Sequence, residues 1–279
     1  MTVILFPPEG NQEAPGSNSA RDRRPAPKST LSLRYGEISI IMGIRYGTYF
    51  VDKGRIPSDN KPKEKEKPMA VPLDGIRAIH NAFRADMAAM DAAALEAARG
   101  REGFDFVARR HFFFNEILVW HAHGEEAFVF PALESVAPLV AEAYVRDHHG
   151  LDAAAESLHQ AITEFDLLAT ARATSAFHFH LGIHLDKEDA HLYRIFNERV
   201  PLPNQAVIIG NMSQKVPQER FPEVIGWLYP LLGPDDRENM TRIWRQAFPA
   251  PVFAGVAKLI QGSIGNDWAE LTRRIPELK

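Results

Sequence analysis

All eleven histidines of the chain fall between His80 and His191, and two of them begin five-residue segments of the same type. Residues 121–125 read H-A-H-G-E, and residues 184–188 read H-L-D-K-E. A histidine and a carboxylate four residues apart lie on one face of an α-helix, about 40° apart in rotation and ~6 Å apart along the axis. The spacing therefore predicts two helices that each present half of a metal site.

The residues around the two segments also form a weak internal repeat. E-E-A-F-V-F follows the first histidine at the same offset as E-D-A-H-L-Y follows the second. Two helices related by approximate two-fold symmetry would place two cations between them. An exposed ion pair contributing roughly 0.3 kcal/mol is the alternative for either segment alone. Two copies on apolar faces favour metal binding, because buried ionisable groups are paired or ligate metals.

A pair of metals needs further ligands from other helices, and single histidines lie at suitable places. His80 stands in an amphipathic stretch, where a hydrogen-bonded core histidine is the alternative. His148 shares a helix face with Tyr144 and Leu151, whereas His149 is rotated ~100° away. The order along the chain is H, HxxxE, H, HxxxE.

This order resembles that of the hemerythrin-like, or HHE cation-binding, domains, and the resemblance covers roughly residues 72–200. It implies an up-down four-helix bundle around a non-haem di-iron centre, with two oxo- or carboxylate-bridged iron ions as the cofactor. The implied metal ligands are His80, His121, Glu125, His148, His184 and Glu188. The oxygen carriers of this family have a second histidine where this chain has Asp152, which argues against simple reversible oxygen carriage.

Apolar periodicity predicts four long helices, at residues 73–98, 104–134, 138–171 and 175–200. Their lengths suit a bundle, so we expect an all-α fold with the bundle at residues 69–200. The His121 face of the second helix should also carry Phe114, Leu118, Phe128 and Ala132. A dry lining is expected from eight aromatic residues: Phe112, Phe113, Phe114, Trp120, Phe128, Phe130, Phe177 and Phe179.

Several polar residues are expected to surround the ligands. Asp147, Asp152, Glu126 and Asp189 are candidate acceptors for the imidazole N–H groups of the ligands. Arg84 lies one turn beyond His80, so it could pair with Glu125, Glu188 or a bound peroxide, or be an ordinary surface arginine. His180 and His191 lie on the ligand face of the fourth helix, either as extra ligands or as hydrogen-bond partners.

Residues 1–68 are predicted to be a disordered or weakly ordered leader, with a β-prone piece at residues 38–51 and a Lys/Glu/Pro-rich linker before Met69. Met69 would then be the natural start, although a genuine flexible tail is the alternative. Residues 201–279 are predicted to form a helical extension packed on the bundle, with helices at about 218–232, 235–248, 251–264 and 268–275. Its phrase L-L-G-P-D-D-R-E-N-M-T-R-I-W faintly resembles the segment after the hemerythrin domains of plant iron-regulated ubiquitin ligases.

Composition excludes several classes of protein. Because the chain contains no cysteine, disulfides, thiolate zinc sites, iron–sulfur clusters and cysteine nucleophiles are excluded, and metal ligands are nitrogen and oxygen. No apolar run approaches the ~20 residues of a membrane helix, and we expect a cytoplasmic protein with no membrane partner. The basic excess of the leader lacks interleaved aromatic residues, so nucleic acid is not an expected partner.

Three functions remain open. The first is a di-iron protein that binds or reduces a small oxidant, namely dioxygen, peroxide or nitric oxide, with peroxidase-like or catalase-like activity. The second is a non-catalytic sensor of iron or oxygen that contacts a protein partner through the C-terminal helices. The third is a di-iron oxygenase acting on an organic substrate, which needs a much larger cavity.

Overall fold

The structure is a computed structural model that describes residues 70–279. The leader and linker predicted for residues 1–68, including the β-prone piece, lie outside the described residues. Within residues 70–279 there are helices and turns but no strand, which confirms the all-α fold. None of these helices combines the length and the apolar character needed to cross a membrane.

Four long helical elements form the bundle, and two of them are interrupted by a single π turn. The elements are α1 (Pro72–Ala98), α2 (Phe104–Gly124) with a π turn (Glu125–Val129) and α3 (Phe130–Val136), α4 (Ala141–Thr163), and α5 (Leu167–Lys187) with a π turn (Glu188–Leu192) and α6 (Tyr193–Arg199). Short connections join them, so consecutive elements run antiparallel, and α1 packs against both α2 and α5 while α4 packs against α5.

The boundary between the third and fourth elements differs from the prediction. The chain turns at Phe165, which has a left-handed φ of 55°, and not near residues 171–175. Asp166 then caps α5, because its side chain accepts a hydrogen bond of 2.9 Å from the backbone N–H of Ala169. An aspartate directly before an apolar run was the signal for this helix start.

The residues after the bundle form five more helices. They are α7 (Leu202–Ser213), α8 (Phe221–Leu231), α9 (Pro234–Ala247), α10 (Ala250–Ile264) and α11 (Trp268–Arg274). The last four match the predicted pieces to within a few residues, whereas α7 was not predicted. Asp86 of α1 is 1% exposed and accepts hydrogen bonds from Arg110 of α2 at 2.8 Å and Trp227 of α8 at 2.7 Å. A buried carboxylate therefore joins the C-terminal helices to the bundle.

The π turn in the second element shifts its buried face by one residue. The predicted core positions Phe128 and Ala132 are only partly buried, whereas their neighbours Val129 and Leu133 are fully buried. A π turn adds one residue to a helical turn, so the residues after Glu125 follow a different helical phase from those before it. The helical phase predicted from the sequence is therefore confirmed at Phe114 and is wrong beyond the π turn.

Two apolar clusters leave a polar layer between them. One cluster contains Phe83, Phe114 and Phe177, and the other contains Leu133 and Phe196. Along each bundle element the predicted metal ligands lie between residues of the two clusters. The expected aromatic lining is wrong at Phe112, which is 51% exposed, and at Phe179, which is 66% exposed.

Candidate metal centre

The six predicted ligands are brought together in the polar layer, and all six are buried. They form two groups, in each of which the candidate ligand atoms lie within 4.8 Å of one another. The first group is His80, His121, Glu125 and Glu188, and the second is Glu125, His148, His184 and Glu188. Each group contains two imidazoles, and the same two carboxylates belong to both.

The local structure repeats at the two HxxxE segments. His121 and His184 lie in the last α-helical turn before a π turn, and Glu125 and Glu188 are the first residues of the two π turns. Single π turns are rare in helices and are frequent at functional sites. The weak internal repeat of the sequence therefore corresponds to a repeated backbone irregularity at both shared carboxylates.

All four imidazoles direct Nε2 towards the shared carboxylates. In the first group, His80 Nε2 lies 3.6 Å from Glu188 Oε2, and His121 Nε2 lies 3.3 Å from Glu125 Oε1. In the second group, His148 Nε2 lies 3.4 Å from Glu125 Oε2. His184 Nε2 lies 3.3 Å from Glu188 Oε1. Each carboxylate thus directs one oxygen towards each group.

The outward Nδ1 atoms of two imidazoles meet carboxylates, as expected. His80 Nδ1 lies 2.9 Å from Asp189, and His148 Nδ1 lies 2.7 Å from Glu126. Such bonds fix the tautomer that leaves Nε2 free to bind a metal. Arg84 donates to Asp189 at 2.7 Å, so it supports His80 through that carboxylate and does not pair with Glu125 or Glu188.

His184 lacks such a partner. Its Nδ1 atom is buried without a hydrogen bond and lies 3.8 Å from Asp147 Oδ2, which contacts Lys187 Nζ. The other flanking histidines stay outside both groups. His191 Nδ1 lies 3.0 Å from the hydroxyl of Tyr144, and His180 is exposed. Asp152 is exposed and lies in the wall of a cavity beside the groups.

Tyr193 is a site residue that the sequence reasoning missed. Its hydroxyl is buried and donates a hydrogen bond of 2.6 Å to Glu125 Oε1. Its ring meets the His80 ring edge-on, with centroids 5.8 Å apart. Tyr193 follows Glu188 by five residues, and Phe130 follows Glu125 by the same distance and stacks on His148. This five-residue spacing could be recognised in the sequence only if the positions of the π turns were known.

Burial and neighbouring groups shift the pKa values of the two shared carboxylates in opposite directions. Burial raises the pKa of Glu188 well above its usual range, and the nearby Glu125 raises it further. Burial also acts to raise the pKa of Glu125, but His121 and His148 outweigh burial and hold that pKa well below the usual range. Burial lowers the pKa of His184 to about 4. Ionising both of these neighbouring buried carboxylates costs much free energy unless a cation lies between them.

Several buried polar atoms at the centre of the site have no hydrogen-bond partner. They are Glu125 Oε2, His148 Nε2 and both carboxylate oxygens of Glu188. Buried polar atoms are normally paired, so atoms left unpaired in one cluster indicate a missing binding partner. Four imidazoles and two carboxylates form a donor set that suits iron, manganese or zinc. The residues present therefore fit metal cations.

A small cavity lies beside the two groups. Its volume is about 20 Å³, and its wall consists of Asn115, Leu118, Val119, His121, Ala122, Glu125, His148, Leu151, Asp152 and His184. A cavity of that size holds about one water molecule. The wall includes His121 of the first group, His148 and His184 of the second, and Glu125, which belongs to both, so a molecule in the cavity would lie next to the metal centre.

Comparison with known proteins agrees with this geometry. Residues 71–196 match the family described as hemerythrin HHE cation binding domain. Zinc finger protein BRUTUS from Arabidopsis thaliana is 25% identical over 179 residues, which cover 61% of this chain and 14% of that protein. Zinc finger protein BRUTUS-like At1g18910 from the same organism is 24% identical over 205 residues, covering 65% of this chain and 16% of that protein.

The chain therefore corresponds to about a seventh of the length of the curated relatives it matches. No solved structure gives a significant match. All six residues of the two groups lie within residues 71–196, as do both π turns. Residues 71–196 of this chain are therefore similar to the hemerythrin HHE cation binding domains.

Proposed function

We propose that the protein is a non-haem di-iron protein that binds or reduces a small oxidant: dioxygen, peroxide or nitric oxide. The observation that carries the proposal is the sharing of Glu125 and Glu188 between two buried groups of ligands. A pair of bridging carboxylates with two imidazoles on each side would hold two cations close together. Residues His80 and His121 would hold one iron, and His148 and His184 the other.

Bound iron would supply the electrons that reduce an oxidant, or the open coordination position that binds it. The chain's own residues prepare the surroundings. Asp189 and Glu126 orient His80 and His148, and Tyr193 fixes one oxygen of Glu125. The apolar clusters on both sides keep bulk water away from the polar layer.

The cavity favours a small ligand over an organic substrate. Its volume of about 20 Å³ is enough for one water molecule or a diatomic molecule. Pockets for organic ligands usually have volumes of ~300 Å³ or more. This difference argues against the oxygenase alternative, which requires an organic substrate beside the metal.

The experiment is anaerobic reconstitution with ferrous iron, followed by metal analysis and stopped-flow mixing with each oxidant. We expect two iron ions per chain and rapid oxidation by dioxygen or peroxide. His149→Ala serves as a control, because His149 is exposed and lies next to His148 without belonging to either group. A long-lived adduct that nitrogen sparging reverses would instead support oxygen carriage or sensing.

A sensor of iron or oxygen is the second candidate, and one contact favours it. A Cβ atom added to Gly124 would lie 2.4 Å from Met212 Cγ, so α7 packs directly against the residue that precedes Glu125. Metal binding at Glu125 would therefore change the packing of α7 against Gly124. The C-terminal helices would be the surface that contacts a protein partner. Hydrogen exchange should slow in α7 on metal loading. Unchanged exchange there would remove the support for this candidate.

A cytoplasmic location is also proposed, with no nucleic acid or membrane as partner. Cell fractionation with an antibody against the chain would test the location. Recovery in a membrane or secreted fraction would contradict it.

A further inference from the structure

We infer that the cavity opens to solvent between α2 and α4 and that Asp152 at its mouth makes the centre select neutral small ligands over anions. The inference rests on the proposed function, since it concerns which oxidants reach the metal centre. It assigns a specificity-determining role to a residue outside both ligand groups.

The mouth is identified by the exposure of the residues in the cavity wall. Leu118 and Leu151 are buried in that wall, as are four of the six candidate ligands, namely His121, Glu125, His148 and His184. The wall residues that retain exposure are Asn115, Val119 and Ala122 on α2 and Asp152 on α4. These four lie on the two helices that flank the cavity, so the route from solvent passes between these helices.

The charge at this mouth is negative. Asp152 is exposed, and no lysine or arginine belongs to the cavity wall. The nearest glutamate along α2, Glu116, is paired with Arg220 at 2.9 Å and lies outside the wall. An incoming anion therefore meets the Asp152 carboxylate before it reaches the centre, with no lysine or arginine in the wall to offset that charge.

The wall beyond the mouth adds a second barrier to anions. Leu118, Val119 and Leu151 are apolar, and the cavity that they help to line holds about one water molecule. An anion must lose hydration to pass an apolar constriction, whereas a neutral diatomic molecule or hydrogen peroxide loses much less. Azide, nitrite and superoxide are thus disfavoured, and nitric oxide, dioxygen and hydrogen peroxide are admitted.

The test compares association rates of azide with the ferric protein and of nitric oxide with the ferrous protein. Asp152→Asn should speed azide association by about threefold to tenfold at low ionic strength, because it removes one like charge at close range. It should change nitric oxide association by less than about twofold, because that ligand is neutral. Added salt should speed azide association in the native protein and have little effect in the variant.

Glu102→Gln is the matched control. It makes the same change of charge at an exposed position before α2, and Asn115 of the cavity wall lies about 16 Å along the helix from Phe104, so Glu102 acts on the mouth from much farther away than Asp152, which is part of the wall. Val119→Trp tests the route itself, because the larger side chain should obstruct the mouth. It should slow both ligands by about tenfold or more while leaving the iron content unchanged.

The outcomes separate the two proposals. If the native protein fails to retain iron, the proposed function is wrong and this inference falls with it. If iron is retained but azide association in Asp152→Asn equals that in the native protein, the selectivity assigned to Asp152 is wrong. If Val119→Trp leaves both association rates unchanged, ligands reach the centre by another route and the inference is overturned.

Discussion

Replacing Glu188 with glutamine should stabilise the metal-free protein and abolish metal binding. Both carboxylate oxygens of Glu188 are buried without a hydrogen-bond partner, and burial together with Glu125 raises the pKa of this carboxyl well above its usual range. Each unsatisfied buried polar atom costs about 1–3 kcal/mol. A glutamine keeps the shape, is always neutral, and brings an N–H₂ group near His184 Nε2, which lies 3.3 Å from Oε1.

We therefore expect Glu188→Gln to raise the free energy of unfolding of the metal-free protein by about 2 kcal/mol at pH 7. For a domain of this size, this corresponds to a rise of roughly 4–8 °C in thermal midpoint. The difference should depend on pH. Because the folded-state pKa of Glu188 is above the unfolded value, the folded protein binds more protons and the native chain loses stability as pH rises from about 4.5. The difference in free energy of unfolding between Glu188→Gln and the native chain should thus be small near pH 4.5 and grow towards neutral pH.

The assay is thermal unfolding of metal-free protein over that pH range, with metal content measured on a second, iron-loaded sample. Glu198→Gln is the control, because it makes the same change at an exposed position on the same composite element. Since Glu188 belongs to both ligand groups, the variant should lose both metals. A metal-free variant less stable than the native chain, or one that retains two metals, would show that Glu188 is a structural residue.

Three further predictions concern separate parts of the molecule. His121→Ala and His184→Ala should each lower the metal content sharply, from two towards one, because each histidine belongs to only one group; elemental analysis measures this. His111 is 2% exposed and burial lowers its pKa to about 4, so the folded state resists its protonation and stability should fall as pH drops from about 6.5 to about 4. His111→Phe should remove up to ~3 kcal/mol of that pH dependence, as measured by urea unfolding, and an unchanged pH profile would contradict the assignment. Asp86→Ala should cost about 3 kcal/mol in the same assay, because it leaves the partly exposed Arg110 and the buried Trp227 N–H unpaired; a loss below ~1 kcal/mol would show that the contact is dispensable.

The clustering of the candidate ligands could be predicted because the relevant spacing is short and precedes the backbone irregularity. His121 and Glu125 lie four residues apart, and Glu125 is the first residue of the π turn. The α-helical relation therefore holds between them, and the same is true of His184 and Glu188. On the His121 face, helical phase failed beyond the turn, where Leu133 is buried in place of Ala132.

The partners of the remaining site residues could not be derived from periodicity, because they depend on pairing between distant elements. Tyr193 reaches Glu125 across 68 positions, and Asp189 reaches His80 across 109. A helical wheel places each of these side chains on a face but does not tell which element that face meets. The link from Arg84 through Asp189 to His80 depends on the packing of α1 against the fourth element, which periodicity does not predict.

The contact between Gly124 and Met212 has a consequence for the order of events during synthesis. All six residues of the two ligand groups precede Met212 in the chain, and the last of them is Glu188. Domains fold from the N-terminal side as the ribosome releases them, so the bundle emerges while α7 is still to be made. All six candidate ligands therefore leave the ribosome before Met212, and the polar layer between the two apolar clusters can form before Met212 covers Gly124.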